Sequence, residues 1–462
     1  MPIEIRNPAA PDQIVATYDE TPDNALDEVV ARARAAQLEW AALPQPERGV
    51  MVTNFVNALE TRSEEIAKSI TKEMGKPLAE ARGEAMKALG EARASVARAN
   101  APIGEVFGSQ IPGTVSYSTR RPRGVILGIN PWNFPFSTPM RKAIPALVYG
   151  NAIILKPASL TPGAVALMAE VAASTLPENL VQAVIGRGAL GQALAEHRGI
   201  DAVSFTGSVE VGKRVATAAA GHLAEVSLEL GGKNPAILND ASDLEKVLDQ
   251  ILLAAFAVCG QRCTAVSRVI VHRDIEEAVV SGLAARAAAM EPMDGMIEGA
   301  KIGPLASAQQ LEDVAGFVSR AVSDGAVIAV GGHRLESPGG GYFYAPTILR
   351  GVTRDMEIAR QEVFGPVLSL IAYDTVDEAL SIANDTAFGL SSCLYSERTD
   401  LVERFVAESE SGMLHVNAGS FPENHLPFVG IKDSSMGVGG SNGPSTIQFY
   451  TTEHAVYRRA CV

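Results

Sequence analysis

Cysteine is scarce in this sequence, with four residues, Cys259, Cys263, Cys393 and Cys461, in a chain of 462. They are too few and too unevenly spread for a disulfide framework, and a reducing compartment is expected. Aromatic residues make up only 5%. The most apolar stretches, such as 143–155 and 251–258, fall short of the ~18 to 20 residues that cross a bilayer, so no membrane association is expected. The start, MPIEIRNPAAPD, has an acid and a proline where a secretory leader carries a basic end and an apolar core. A cytoplasmic protein is therefore expected. Basic side chains are outnumbered, 39 against 53 acidic ones, and the net charge of −14 has the wrong sign for a nucleic-acid surface. What is present is 47% hydrophobic residue and 20% charged, enough for a large core. At roughly 100 to 200 residues per domain the length suggests two to four domains.

From 25 to 101 the chain is rich in Ala, Glu, Arg and Lys, with apolar residues three and four apart, which predicts two or three amphipathic helices, the first ending before Pro44. Residues 110–123, with Gly113, alternating Val115, Tyr117 and Thr119, and then Pro122, read as an exposed hairpin. Beyond it short apolar runs at 124–129, 152–156, 181–185 and 202–205 alternate with helical stretches, the rhythm of βαβ units around a parallel sheet. The rhythm recurs in the second half, with strands expected at 236–238, 267–272, 326–330 and 367–373. The end, 447–459, alternates like an edge strand and is expected to pair with the hairpin or with another subunit.

Five segments carry chemistry. Cys259-Gly260-Gln261-Arg262-Cys263-Thr264 lies between a helix and a strand, where a cationic neighbour and helix ends lower a thiol pKa. A buried structural cysteine has the same local pattern. Leu228-Glu229-Leu230-Gly231-Gly232-Lys233 puts one acid on an apolar strand, as a general base or as the partner of a lysine. Asn130-Pro131-Trp132-Asn133-Phe134-Pro135 follows one strand and Lys156-Pro157-Ala158-Ser159 closes the next. Loops at those strand ends bind ligands in α/β sheets, and plain turns look alike. Phe205-Thr206-Gly207-Ser208 opens a helix whose amides can face a phosphate, although it is not G-x-G-x-x-G. Glu362-Val363-Phe364-Gly365-Pro366 supplies an acid and an aromatic before a strand.

In this order and spacing the five segments resemble the NAD(P)-dependent aldehyde dehydrogenase superfamily over nearly the whole chain. The resemblance implies an α/β fold with a Rossmann-like cofactor-binding domain (1–109 and 124–232), a second α/β catalytic domain (233–425) and a small β appendage for oligomerisation (110–123 and 440–462). It implies Cys263 as nucleophile, Asn133 and the Cys263 N–H as oxyanion donors, and Glu229 as the base for the deacylating water. Family members that pass the acyl group to coenzyme A commonly lack that Glu, so hydrolysis to a free acid is expected. For the cofactor it implies Pro131, Trp132, Lys156, Ser159, Gly207, Ser208, Gly231, Glu362 and Phe364. Where relatives that prefer NAD often carry Glu, this chain has Ser159, which leaves room for a 2′-phosphate beside Lys156. NADP is therefore expected to be preferred, with NAD possible, and no metal.

On the substrate side the resemblance points to Phe134, Arg141, Arg262, Phe421 and Phe428. Arg141 resembles the arginine that holds the distal carboxylate in succinate-semialdehyde dehydrogenases, making succinic semialdehyde the first expectation. A pair with a nearby acid is the alternative for that side chain. Such enzymes also carry a second Arg where this chain has Ala257, and a Ser near Glu423. Arg262 instead resembles enzymes for α-ketoglutaric semialdehyde and phosphorylated aldehydes, and neutral or aromatic aldehydes are a further reading. The loop 418–426, including Phe421, Glu423 and His425, is expected at the tunnel mouth. Pro427-Phe428-Val429-Gly430 replaces the usual P-F-G-G and puts a β-branched residue where a glycine can serve backbone conformation. A Cys259–Cys263 cross-link is weighed against a buried helix cysteine. A small-molecule aldehyde and a second copy of the chain, as a homodimer or homotetramer, are the expected partners.

Overall fold

In the computed structural model the described residues are 2–240, 242–337, 339–439 and 441–459. Cys461, and with it positions 440 and 460–462 of the expected oligomerisation segment, lie outside them. The helical start, expected as two or three helices over 25–101, holds four within that span, Leu26–Ala42, Gln45–Thr61, Ser63–Met74 and Leu78–Val96. The first buries Leu26, Val29, Val30, Ala33, Ala36 and Trp40, one face at three- and four-residue spacing. It stops at Ala42, since Pro44 disfavours helical backbone at Leu43. The third stops at Gly75, whose φ of 87° lies in the left-handed region. A hairpin of Ile3–Asn7 and Ala10–Tyr18 precedes them and was not expected.

Two α/β layers follow, as the sequence rhythm indicates. The first sheet has six strands in the order Ser435–Gly437, Glu225–Glu229, Ala202–Thr206, Val125–Ile129, Ala152–Lys156, Val181–Ala183. All neighbours are parallel except Ser435–Gly437, which runs antiparallel to Glu225–Glu229. From its central strand Val125–Ile129 the chain winds first to one side and then to the other, which leaves a crevice at the carboxyl ends. The second sheet has seven strands, centred on Val266–His272 and Asn234–Leu238 and parallel except for the edge strand Val327–Val330. Strands Thr347–Arg350, Ser391–Tyr395 and Met413–Val416 in it were not expected. Each sheet has its own buried cluster, with Cys259 in the second.

The expected 110–123 hairpin is a single strand, Thr114–Pro122. It pairs on one side with Val106–Phe107 and on the other, over nine residues, with Thr451–Arg459 of the same chain. Among the described residues no helix is long and apolar enough to cross a membrane.

Candidate active site

A cavity of about 650 Å³ opens where strands Val125–Ile129, Ala202–Thr206 and Glu225–Glu229 end. Its far wall is the turn before strand Val266–His272, which brings Cys263 opposite Glu229. Asn234, the first residue of a strand in the second sheet, ties that turn to the neighbouring strand Ser391–Tyr395. Its amide donates to the carbonyls of Cys263 and Ala265 at 2.7 and 2.9 Å and accepts from the Ser391 N–H at 3.0 Å.

Cys263 packs against Leu390, Met413 and Phe428, whereas Cys259 faces the core of the second sheet, so the two thiols do not share an environment. The expectation of a lowered thiol pKa is corrected. Burial, then the nearby Glu229 and Glu362, push the Cys263 thiol well above its ordinary value, against the pull of Arg141. Glu229 is likewise raised, chiefly by burial, and its Oε1 has no hydrogen-bond partner. Burial thus shifts both facing groups toward their protonated forms, Glu229 against the pull of Arg141 and Lys142. Behind them Lys142 is fully buried, donates to the carbonyls of Ile129 and Ser204 at 2.5 and 3.1 Å, and is pushed down to about 7. The Asn133 amide donates one hydrogen to Gln261 O at 2.8 Å, leaving its second donor uncommitted. Among the described residues the Cys263 N–H also has no acceptor.

The residues expected to bind cofactor fall into two groups. Pro131, Trp132, Gly207, Ser208, Gly231, Glu362 and Phe364 line the cavity. Ser208 caps helix Val209–Ala220, and a Cβ at Gly207 would stand 2.6 Å from the Phe205 ring. A Cβ at Gly231 would lie 2.3 Å from the Glu362 carboxylate, which accepts from the Gly232 N–H at 3.1 Å. Burial pushes Glu362 up to about 7. The Phe364 ring meets Trp132 edge-on at 5.3 Å, and its left-handed backbone is held by Gln310, which donates to Phe364 O at 2.9 Å. Lys156 and Ser159 lie outside the cavity wall, at the end of the neighbouring strand. Lys156 is buried, donates only to Pro157 O, enters no ion pair among the described residues, and is pushed down to about 8 by burial. A helix N-terminus, a glycine floor and a spare ammonium along one crevice fit a dinucleotide.

On the substrate side Arg141 is not free. Its Nε and Nη2 donate to Glu91 at 2.7 and 2.9 Å, an ion pair with both members buried, so the expected anchor for a distal carboxylate is already neutralised. Arg262 differs. Its Nη2 donates to Thr264 Oγ1 and Ser420 O, while its buried Nη1 has no partner. Three phenyl faces carry the chain's own cations: Lys76 over Phe134 at 4.2 Å, Arg141 over Phe428 at 4.8 Å and Arg262 over Phe421 at 4.3 Å. Of the expected mouth loop, Phe421 and Pro422 reach the cavity, whereas Glu423 and His425 are exposed and do not. Val429 is not among the residues of positive φ, so its place in P-F-V-G carries no left-handed strain.

Sequence reading missed one face of helix Leu78–Val96. Glu80, Glu84 and Lys87, spaced four and three apart, line the cavity, and Glu91, four residues further on, meets Arg141. Glu84 accepts from the Phe136 and Ser137 N–H groups at 3.0 Å and from Lys76 at 2.5 Å, and Lys76 also holds Asn133 O at 2.8 Å. Lys87 donates to Pro422 O at 2.6 Å. The available signal was a charge stripe sharing a helix with buried alanines.

The model of the aldehyde dehydrogenase family matches residues 1–456. The chain is 37% identical to the α-ketoglutaric semialdehyde dehydrogenase of Bacillus subtilis, covering 98% of this chain and 94% of that one. It is 35% identical to the betaine aldehyde dehydrogenase of Cereibacter sphaeroides, over 99% and 93%. Among solved structures, lactaldehyde dehydrogenase from Escherichia coli superposes with a TM-score of 0.96 at 33% identity, covering 100% of this chain and 96% of that one.

Proposed function

Since the chain belongs to the aldehyde dehydrogenase family and is an aldehyde-oxidising enzyme, we propose that its substrate is a small anionic aldehyde, α-ketoglutaric semialdehyde before succinic semialdehyde. The observation that carries this is the buried, unpartnered Nη1 of Arg262, one residue from Cys263 in the same cavity. A desolvated guanidinium lacking an acceptor is stabilised by a carboxylate. The resemblance to a relative named for α-ketoglutaric semialdehyde agrees with it. A quaternary ammonium aldehyde is the competing reading, from the betaine aldehyde relative. Such a cation needs aromatic faces, and here the faces of Phe134, Phe421 and Phe428 are covered by Lys76, Arg262 and Arg141.

In this reading Cys263 Sγ attacks the aldehyde carbon, and its proton passes to Glu229. The oxygen of the adduct takes the spare hydrogen of Asn133 and the Cys263 N–H. When bound, NAD or NADP supplies the hydride acceptor. Glu229 releases the Cys263 proton to solvent and, as the carboxylate again, takes a proton from the water that adds to the thioester; the adduct collapses with Cys263 Sγ leaving, Glu229 returns that proton to the thiolate, and the acid is released. Lys156, Gly207, Ser208, Gly231, Glu362, Trp132 and Phe364 hold the dinucleotide, and Ser159 beside Lys156 favours NADP over NAD.

Residues 1–109 and 124–232 bind the cofactor and 233–425 complete the catalytic half. The three-stranded sheet, with Val106, Phe107, Val115 and Tyr457 exposed, joins copies into a dimer or tetramer. The unpaired Cys259, Cys263 and Cys393 suit a reducing cytoplasm. The test is Arg262→Leu. It should raise KM for α-ketoglutaric semialdehyde by about 10- to 100-fold, the worth of a charge-assisted contact, and leave KM for a neutral aldehyde within about threefold. Equal KM changes for both aldehydes would remove Arg262 as the anchor.

A further inference from the structure

The turn leading to Cys263 holds the only run of consecutive non-glycine residues with positive φ among the described residues, Val258 at 57° and Cys259 at 55°, followed by Gly260 at 68°. Gly260 has reason to be glycine, since a Cβ there would stand 2.2 Å from Gly365 O. Val258 has none. A β-branched residue is among the least suited to left-handed backbone, so surrounding groups must hold it there.

Both of its backbone polar groups are held. Val258 N–H donates to Oε1 and Oε2 of Glu80, each at 3.1 Å. Val258 O accepts from the Gln261 N–H at 3.0 Å and from Gln261 Nε2 at 3.1 Å. Gln261 in turn accepts from the Ala306 N–H at 2.9 Å and, through its own carbonyl, from Asn133 at 2.8 Å. Glu80 forms no ion pair among the described residues, and Val258 is its sole hydrogen-bond donor there. A half-buried carboxylate in the cavity wall is thus committed to one backbone N–H.

We propose that Glu80 is a positioning residue that clamps Val258 in the left-handed conformation and so sets Cys263 in line with Asn133 and Glu229. This rests on Cys263 being the nucleophile. In this role Glu80 acts through the Val258 backbone and not on the reacting atoms.

The experiment is a double-mutant cycle read by kcat, by KM for NADP and by the rate at which iodoacetamide alkylates Cys263 in the whole protein. Glu80→Met fills the space without an acceptor. It should lower kcat and slow Cys263 alkylation about tenfold or more, with KM for NADP changed less than about twofold. Glu80→Gln, which keeps an acceptor, should lose under about threefold. In the Val258→Gly background Glu80→Met should also cost under about threefold, because glycine takes left-handed backbone unaided. An equal loss in both backgrounds, or none in the first, overturns the proposal. Should Glu80→Met not fold, hydrogen exchange in the unaltered protein decides. A Val258 amide exchanging as slowly as neighbouring strand amides supports the clamp, and one exchanging as fast as an exposed loop overturns it. The alkylation and exchange readouts need no aldehyde, and Cys263→Ala retaining turnover would instead sink the nucleophile assignment.

Discussion

Arg262 and Arg141 differ by one partner. Glu91 takes two donors of Arg141, whereas Arg262 keeps a buried Nη1 with nothing to accept from it. Sequence placed both arginines near the substrate and had no means to see Glu91, which is 50 residues from Arg141. Which arginine is available is a property of the fold. Ser159 is a different case, a residue whose proposed role as cofactor selector rests on a carboxylate that the sequence lacks there. Ser159→Glu should lower kcat/KM for NADP by about tenfold or more while NAD is retained, since a carboxylate there repels the 2′-phosphate and accepts from a 2′-hydroxyl. Coenzyme titrations of both forms check it, and an unchanged NADP to NAD ratio would remove Ser159 as the selector. The raised pKa of Cys263 was not legible at all, because burial and the approach of Glu229 and Glu362 come from segments distant in the chain.

Apolar βαβ runs were read closely, and strand Ala152–Lys156 has the boundaries expected of it. Ser391–Tyr395 was missed because Ser391 and Ser392 are buried without being apolar. Helix Leu78–Val96 was read as a helix but its charged face was not read as an inner one. Charge on a helix ordinarily marks solvent, and here it organises the site. Glu84 caps helix Ser137–Val148, Glu91 neutralises Arg141, and Glu80 holds the turn before Cys263. Removing Glu91 strands a buried guanidinium. Glu91→Leu should therefore destabilise the fold by about 3–5 kcal/mol, the cost of breaking a buried pair from one side. The denaturant midpoint measures this, and a shift of under about 1 kcal/mol would show that solvent reaches Arg141.

The chain as a whole is fastened by polar contacts between segments far apart in sequence, and one of them titrates. Tyr18 of the N-terminal hairpin donates to Glu73 at 2.9 Å, and Glu73 also accepts from the Gly163 N–H at 3.0 Å. Burial raises the Glu73 carboxyl from the ordinary 4.5 to about 7. Folded protein therefore holds this proton more tightly than unfolded chain, so the contribution is full below pH 4.5 and is lost as pH rises through about 7. Glu73→Gln should flatten that part of the stability profile between pH 5 and 8, as read by urea unfolding across the range. A profile unchanged by the substitution would mean that the Glu73 carboxyl titrates no higher than in unfolded chain. The hairpin carrying Tyr18 escaped sequence reading because prolines at 2, 8 and 11 broke the alternation that Ile3 and Ile5 begin.

The central claim is that this enzyme oxidises an anionic aldehyde, and steady-state NADPH formation with α-ketoglutaric semialdehyde, succinic semialdehyde, lactaldehyde and betaine aldehyde in parallel tests it most directly. The account predicts the highest kcat/KM for α-ketoglutaric semialdehyde, then succinic semialdehyde, with betaine aldehyde at least about 100-fold lower because its cation meets Arg262 and phenyl faces already taken. Betaine aldehyde or lactaldehyde outpacing both semialdehydes would contradict it.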